Sequence, residues 1–278
     1  MYTTLISAPT LQANLHNPDW LICDCRFNLA DTNYGRRAYQ AGHISNAHYL
    51  HLDEDLSSAI TLQTGRHPLP SPAQLSAKLQ AIGLNPNTQV VVYDDNNGSM
   101  AARLWWLLRW LGHDAVAVLD GGLAAWQTAG YALSTQVPTV TQQGQFQARL
   151  KPECVVKVEE LTKPNTWQLV DARAAERFRG EIEPIDPIAG HIPGAWNRPL
   201  TENLDGNQFK SAEQLKAEWQ ALLGNMSVAN IVHMCGSGVT ACHNLLAMEV
   251  AGLTGTKLYA GSWSEWIRDS SRPIATGG

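Results

Sequence analysis

The chain has 278 residues, with 20 Lys and Arg against 25 Asp and Glu and a formal net charge of −5. It has no basic or acidic run, so neither nucleic acid nor a membrane surface is expected as a partner. The length suits two domains of about 130 to 140 residues each. Five scattered cysteines, Cys23, Cys25, Cys154, Cys235 and Cys242, argue against a disulfide framework and for a reducing compartment, so a cytoplasmic location is expected.

In chain order, Met1 to Leu5 shows no basic segment followed by an apolar stretch, and no secretion signal is read. Trp20-Leu21-Ile22-Cys23-Asp24 is an apolar run ending on an aspartate, and Gly42-His43-Ile44 follows. His43, His48 and His51 crowd one stretch, but their spacing matches no metal site, and neither a metal nor a cofactor is expected. Val90 to Tyr93 reads as a buried strand, and Ala101 to Leu111 as an apolar helix too short to span a bilayer. Its Trp105, Trp106 and Trp110 are expected in the core or at a domain interface. The stretch from Ser134 to Gln147, rich in Thr, Gln and Val with Pro138 and Gly144, reads as a linker.

The second half then repeats the first. Trp167 to Asp171 matches Trp20 to Asp24, Gly190-His191-Ile192 matches Gly42-His43-Ile44, and Asn230 to His233 matches Val90 to Tyr93. Gly261-Ser262 followed by Trp266 matches Gly121-Gly122 followed by Trp126. Each copy alternates short β-branched runs with helical patterns, which predicts α/β architecture with a parallel sheet flanked by helices. The expected division is 1–138, a linker over 139–149, and 150–278.

The residues with the clearest chemical content are Cys235-Gly236-Ser237-Gly238-Val239-Thr240-Ala241, between the predicted strand Ile231 to Met234 and a predicted helix over Thr240 to Val250. A thiol just ahead of a helix N-terminus meets unpaired N–H groups and the positive end of the dipole, which favour the nucleophilic thiolate. Gly236 and Gly238 let the backbone curl so that amides face the sulfur, with Ser237 and Thr240 as added donors. Cys242, about two helical turns further on, is expected to pack in the helix. At the same offset Cys235 falls on Asp95, in the loop Asp95-Asn96-Asn97-Gly98-Ser99. An aspartate there is expected to serve as a turn and cap residue, leaving the first copy without catalysis.

The two Gly-His-Ile segments, Asp24 and Asp171, the 235–241 loop and Gly261 to Trp266 together resemble tandem rhodanese-type sulfurtransferases over essentially the whole chain. The resemblance implies two rhodanese-like domains, the first inactive and the second bearing the catalytic cysteine. The Cys-Gly-Ser-Gly-Val-Thr loop is similar to the branch that uses 3-mercaptopyruvate; the thiosulfate branch carries basic residues after the cysteine. It further implies an Asp-His-Ser triad drawn from both domains, which falls on Asp53, His67 and Ser237, and a substrate-binding arginine at Arg177. Loop residues Gly236, Gly238, Val239 and Thr240 complete the implied substrate site. One departure stands out: mercaptopyruvate-specific members carry an arginine where this chain has Ile185.

The implied reaction is transfer of sulfur from 3-mercaptopyruvate through a Cys235 persulfide to cyanide or a thiol such as thioredoxin. Thiosulfate is the alternative donor. Two other classes stay open: a rhodanese-like phosphatase, disfavoured by Ala241 and Cys242 where a phosphate-binding arginine is expected, and a non-catalytic sulfur-carrier or interaction module.

Overall fold

A computed structural model describes residues 1–163 and 167–278. The chain forms two compact units interleaved in sequence: residues 1–58, 70–151 and 206–209 make the first, and 59–69, 152–205 and 210–278 make the second. The segment around His67 therefore belongs with the cysteine-bearing half.

The first unit contains β1 (Leu5–Ile6), α1 (Ala8–Ala13), β2 (Trp20–Asp24), α2 (Tyr34–Ala41), β3 (Ala47–Tyr49), α3 (Pro72–Ala81), β4 (Gln89–Tyr93), α4 (Ala101–Trp110), β5 (Val116–Leu119) and α5 (Gly122–Thr128). Its five strands run parallel in the order β1-β5-β4-β2-β3. Helices cover both faces, so the central strands carry continuous apolar runs rather than alternating ones. Val90, Val91 and Val92 are wholly buried. Ile22, Val91, Ala117 and Trp126 share one core cluster. Trp105, Trp106 and Trp110 are buried along α4.

The segment read as a linker is strapped onto this unit. Gly144 N–H donates to Gln80 O, Phe146 N–H to Leu84 O and Arg149 N–H to Leu111 O, at 2.8 to 3.0 Å. Gly144 lies against the Leu84 backbone so closely that a Cβ would come within 2.0 Å of its carbonyl oxygen. Composition alone could not distinguish a tether from a strap, because both are rich in small polar residues.

The second unit contains α6 (Val158–Leu161), β6 (Gln168–Asp171), α7 (Ala175–Phe178), β7 (Trp196–Asn197), the two-residue strand β8 (Leu204–Asp205), α8 (Ala212–Leu223), β10 (Ile231–Met234), α9 (Ala241–Val250), β11 (Lys257–Leu258) and α10 (Ser262–Trp266), while the two-residue strand β9 (Gln208–Phe209) falls in the 206–209 segment of the first unit. The parallel order β11-β10-β6-β7 repeats β5-β4-β2-β3. A single bridge, Val155 to Leu258, stands where β1 pairs with β5 in the first unit.

The repeated motifs share one structural task. Asp24, at the end of β2, grips Arg26, whose Nη2 also donates to Gly42 O at 2.8 Å. Asp171, at the end of β6, grips Arg173, whose Nη2 donates to Gly190 O at 2.8 Å. Each carboxylate thus uses an arginine to hold the Gly-His-Ile turn against its sheet. The histidines complete the clasp: His43 stacks on Tyr39 and His191 on Phe178, at centroid distances of 3.9 and 3.8 Å. In each copy the His Nδ1 lies 2.8 Å from the carbonyl of its aromatic partner.

Candidate active site

Cys235 follows the last residue of β10, a central strand, at the carboxyl edge of the sheet where open α/β folds place their ligands. It is 2% exposed. Gly238 N–H donates to Cys235 Sγ at 3.1 Å, and Thr240 sits at the N-cap of α9. Gly238 has φ +74°, and a Cβ there would lie 2.2 Å from Ala260 O, so the position demands glycine twice over. Val239 and Ser237 are buried, and Thr240 is half-buried.

The loop is braced from the start of α10. Ser262 Oγ accepts from Cys235 N–H at 3.0 Å and donates to Tyr259 O at 2.9 Å, and its own φ is +54°. A non-glycine residue held in that left-handed region beside the Cys235 thiol loop marks a site that the surrounding packing over-determines. Trp263 N–H and Ser264 N–H then donate to Cys235 O and Gly236 O. Cys242 is fully buried, and its thiol donates to Gly238 O at 3.5 Å, as a packed helix residue would.

His67 Nδ1 lies 2.7 Å from Ser237 Oγ, and both residues are 5% exposed. Sequence context alone would leave His67 a solvated loop histidine between glycine and prolines. Its burial comes from residues 59–69 joining the second unit. Asp53 belongs to the first unit: it is exposed in the turn after His51, and its backbone N–H donates to His51 Nδ1 at 3.1 Å.

Arg177, on α7, is not a lone cation. Its Nη2 donates to Glu183 Oε1 at 2.6 Å and to Asp186 Oδ2 at 3.4 Å, while its Nε reaches Glu183 Oε2 at 3.3 Å. Burial would raise the Glu183 pKa, but the bonds from Arg177 and from the Asp186 and Ile185 N–H groups outweigh it and the net shift is downward. Arg66 and Asp186 received no role in the sequence reading. Arg66 donates through Nε and Nη2 to both oxygens of Asp186, at 2.8 and 3.0 Å. The only signal for Arg66 was its place next to His67. Asp186 had none, since 120 residues separate it from Arg66.

The first unit shows what the same loop does without a thiol. Sheet register pairs Asp24 with Tyr93 and Asp171 with Met234, so the residue that succeeds Tyr93, Asp94, is the counterpart of Cys235. This corrects the alignment with Asp95: the first loop has one extra residue, which a constant offset hides. The Asp94 carboxylate accepts from the N–H groups of Asn96, Gly98, Met100 and Ala101 at 2.7 to 2.9 Å. An internal carboxylate thus fills the anion cradle and caps α4. Burial raises the Asp94 pKa against the pull of these four donors. Asp95 instead accepts from Tyr34 Oη.

Among the described residues no cluster of His, Cys, Asp and Glu could hold a metal, and no helix is long and apolar enough to cross a membrane.

Comparison with known proteins agrees with this geometry. The Rhodanese-like domain profile matches residues 7–129 and 155–269. A probable 3-mercaptopyruvate sulfurtransferase of Pseudomonas aeruginosa is 52% identical over 98% of both chains. The hamster (Cricetulus griseus) thiosulfate sulfurtransferase is 32% identical over 97% of this chain and 94% of its own. The crystal structure of SseA from Escherichia coli, described as a 3-mercaptopyruvate sulfotransferase of rhodanese fold, superposes with a TM-score of 0.81 at 34% identity, covering 95% of this chain and all of that one. With two rhodanese-like domains and the thiol loop in the second, the chain belongs to the tandem rhodanese-type sulfurtransferase family.

Proposed function

We propose that this sulfurtransferase takes sulfur from 3-mercaptopyruvate through a persulfide on Cys235 and passes it to cyanide or to a thiol such as thioredoxin. The observation that carries the choice of donor is the 2.7 Å contact between His67 Nδ1 and Ser237 Oγ, two residues beyond the nucleophile. The Cys235 thiolate attacks the mercapto sulfur, the C–S bond breaks, and its electron pair leaves on carbon as the pyruvate enolate. The mercapto proton must end on that carbon. A hydroxyl paired with an imidazole, both shielded from water, can carry it there. Asp53 is assigned to the relay on the family resemblance alone.

The persulfide's terminal sulfur is anionic, and the amides of residues 236–240 beside a helix start suit it. Arg177 supplies a partly exposed guanidinium for the donor's carboxylate, and Gly236, Gly238, Val239 and Thr240 shape the floor. The first domain, its cradle filled by Asp94, carries no nucleophile of its own. No disulfide joins any of the five cysteines, which supports a reducing, cytoplasmic setting.

Mass spectrometry of the protein incubated with 3-mercaptopyruvate alone should find one added sulfur atom on the Cys235 peptide, absent in Cys235→Ser. Sulfur on Cys242 would refute the assignment. A higher kcat/KM for thiosulfate than for 3-mercaptopyruvate, with cyanide as common acceptor, would overturn the donor.

A further inference from the structure

The internal repeat gives the second unit a reference for what its fold requires. Sheet register pairs Val118 with Val92 and Leu258 with His233, so Leu119 is the counterpart of Tyr259, Gly121 of Gly261 and Ala125 of Glu265. In the first unit that place is apolar: Leu119 is 1% exposed and shares a core cluster with Ile6, Ala8 and Leu123. The fold therefore asks for no polar group there. The second unit nonetheless puts a phenol and a carboxyl in it.

Tyr259 is 1% exposed, and its Oη finds no hydrogen-bond partner of normal geometry. The charged group that acts on it most strongly is the Glu265 carboxyl. That carboxyl folds back over Gly261, where a Cβ would lie 1.9 Å from Glu265 Oε2. Burial, helped by Glu159, pushes its pKa above the usual carboxylate range against the pull of Tyr259 and Arg272. Arg272 is committed elsewhere: its Nη1 donates to the carbonyls of Glu265 and Trp266, and its Nε faces Asp269 at 3.6 Å. A buried hydroxyl and a half-buried carboxyl held in this way cost free energy that a leucine and an alanine would not.

Both groups border a cleft of about 260 Å³ that lies wholly within this unit. Its walls are aliphatic, from Leu69, Val155, Val156 and Val158, while Lys157 and Glu159 are exposed at its rim and offset one another. The cleft is distinct from the thiol site: Arg66 and His67 turn toward Gly236 and Ser237, whereas Gly65, Pro68 and Leu69 line the cleft. Backbone 259–262 borders both. A Cβ on Gly238 would meet Ala260 O at 2.2 Å, and Ser262 Oγ holds the Cys235 N–H.

We propose that this cleft is a binding site for a small primary ammonium compound with a short aliphatic body, and that its occupancy steadies residues 259–262 and with them the Cys235 loop. The Glu265 carboxylate and the Tyr259 hydroxyl take the ammonium, and the Leu69 and valine walls take the carbons. Size sets the class, because clefts for drug-sized ligands start at about 300 Å³. The site does not depend on which donor loads Cys235.

The test uses butylammonium chloride as probe and 1-butanol as its uncharged counterpart, at matched ionic strength, with methyl NMR of Val155, Val156 and Val158 to locate binding. Butylammonium is expected to shift these methyls with a Kd of about 1 mM, within reach of so small a ligand, and 1-butanol to bind about 10-fold more weakly or worse. Glu265→Gln should erase that preference, leaving the two probes within about threefold of each other. At ten times Kd, hydrogen exchange of amides 235, 263 and 264, which donate to Ser262 Oγ, Cys235 O and Gly236 O, should slow about 10-fold, because the ligand must leave before the segment opens. Methyls that move with neither probe, or equal binding of the two by the wild type, would overturn the site, and that comparison needs no variant to fold. Binding of butylammonium with unchanged exchange at 235, 263 and 264 would overturn the link to the thiol loop.

Discussion

Replacing Ser237 by alanine removes one hydroxyl and leaves the loop backbone, whose bracing bonds run through Cys235, Gly236 and Gly238. The structural cost should be small, about 1 kcal/mol for the lost 2.7 Å contact to His67. The catalytic cost should be larger. A positioned proton carrier contributes about 10² to 10⁴ in rate, so a loss of about 3 kcal/mol or more in transition-state stabilisation is expected for a donor whose leaving group is a carbanion. Thiosulfate provides the internal control, because sulfite departs without needing a proton. Steady-state kinetics with both donors should show kcat for 3-mercaptopyruvate falling about 100-fold or more in Ser237→Ala, with thiosulfate turnover changed by less than about fivefold. His67→Ala should behave alike, and the double variant should cost little more than either single change, since the two groups act on one proton. Equal losses on both donors, or losses that multiply in the double variant, would refute the relay.

Two further outcomes test the scaffold. Asp94→Ala strips an acceptor from four N–H groups, three of them in buried bonds, and should destabilise the first domain by about 3 kcal/mol, partly offset by the relieved burial of a carboxylate. Hydrogen exchange of amides 98 to 101 reads this directly, and retained protection would show that the cradle does not depend on the carboxylate. Glu218 is held at a pKa of about 2: burial pushes it up, but Lys210, Arg198 and Gln214 pull it further down. A depressed folded-state pKa gives stability that is full above the unfolded value of about 4.5 and lost as pH falls through about 2. The Tm difference between wild type and Glu218→Gln should therefore be largest near neutrality and vanish near pH 2, and a difference independent of pH would refute the pairing.

Much of this protein was legible in its residues. The repeat, the parallel α/β architecture, the strand over 231–234 and the thiol placed before a helix all follow from local periodicity and turn chemistry, which act over a few residues and are written where they act. The tertiary structure decided matters that depend on distance through space. Sheet register, not spacing along the chain, made Asp94 the counterpart of Cys235, because one inserted loop residue shifts a sequence match without moving a strand. The partnership of His67 with Ser237 spans 170 residues, and that of Arg66 with Asp186 spans 120. Nothing local in either segment encodes its partner: the contacts exist because residues 59–69 cross from one compact unit to complete the other. The thiol is set by its own loop, whereas the imidazole of His67 and the guanidinium of Arg66 are brought beside that loop by the fold.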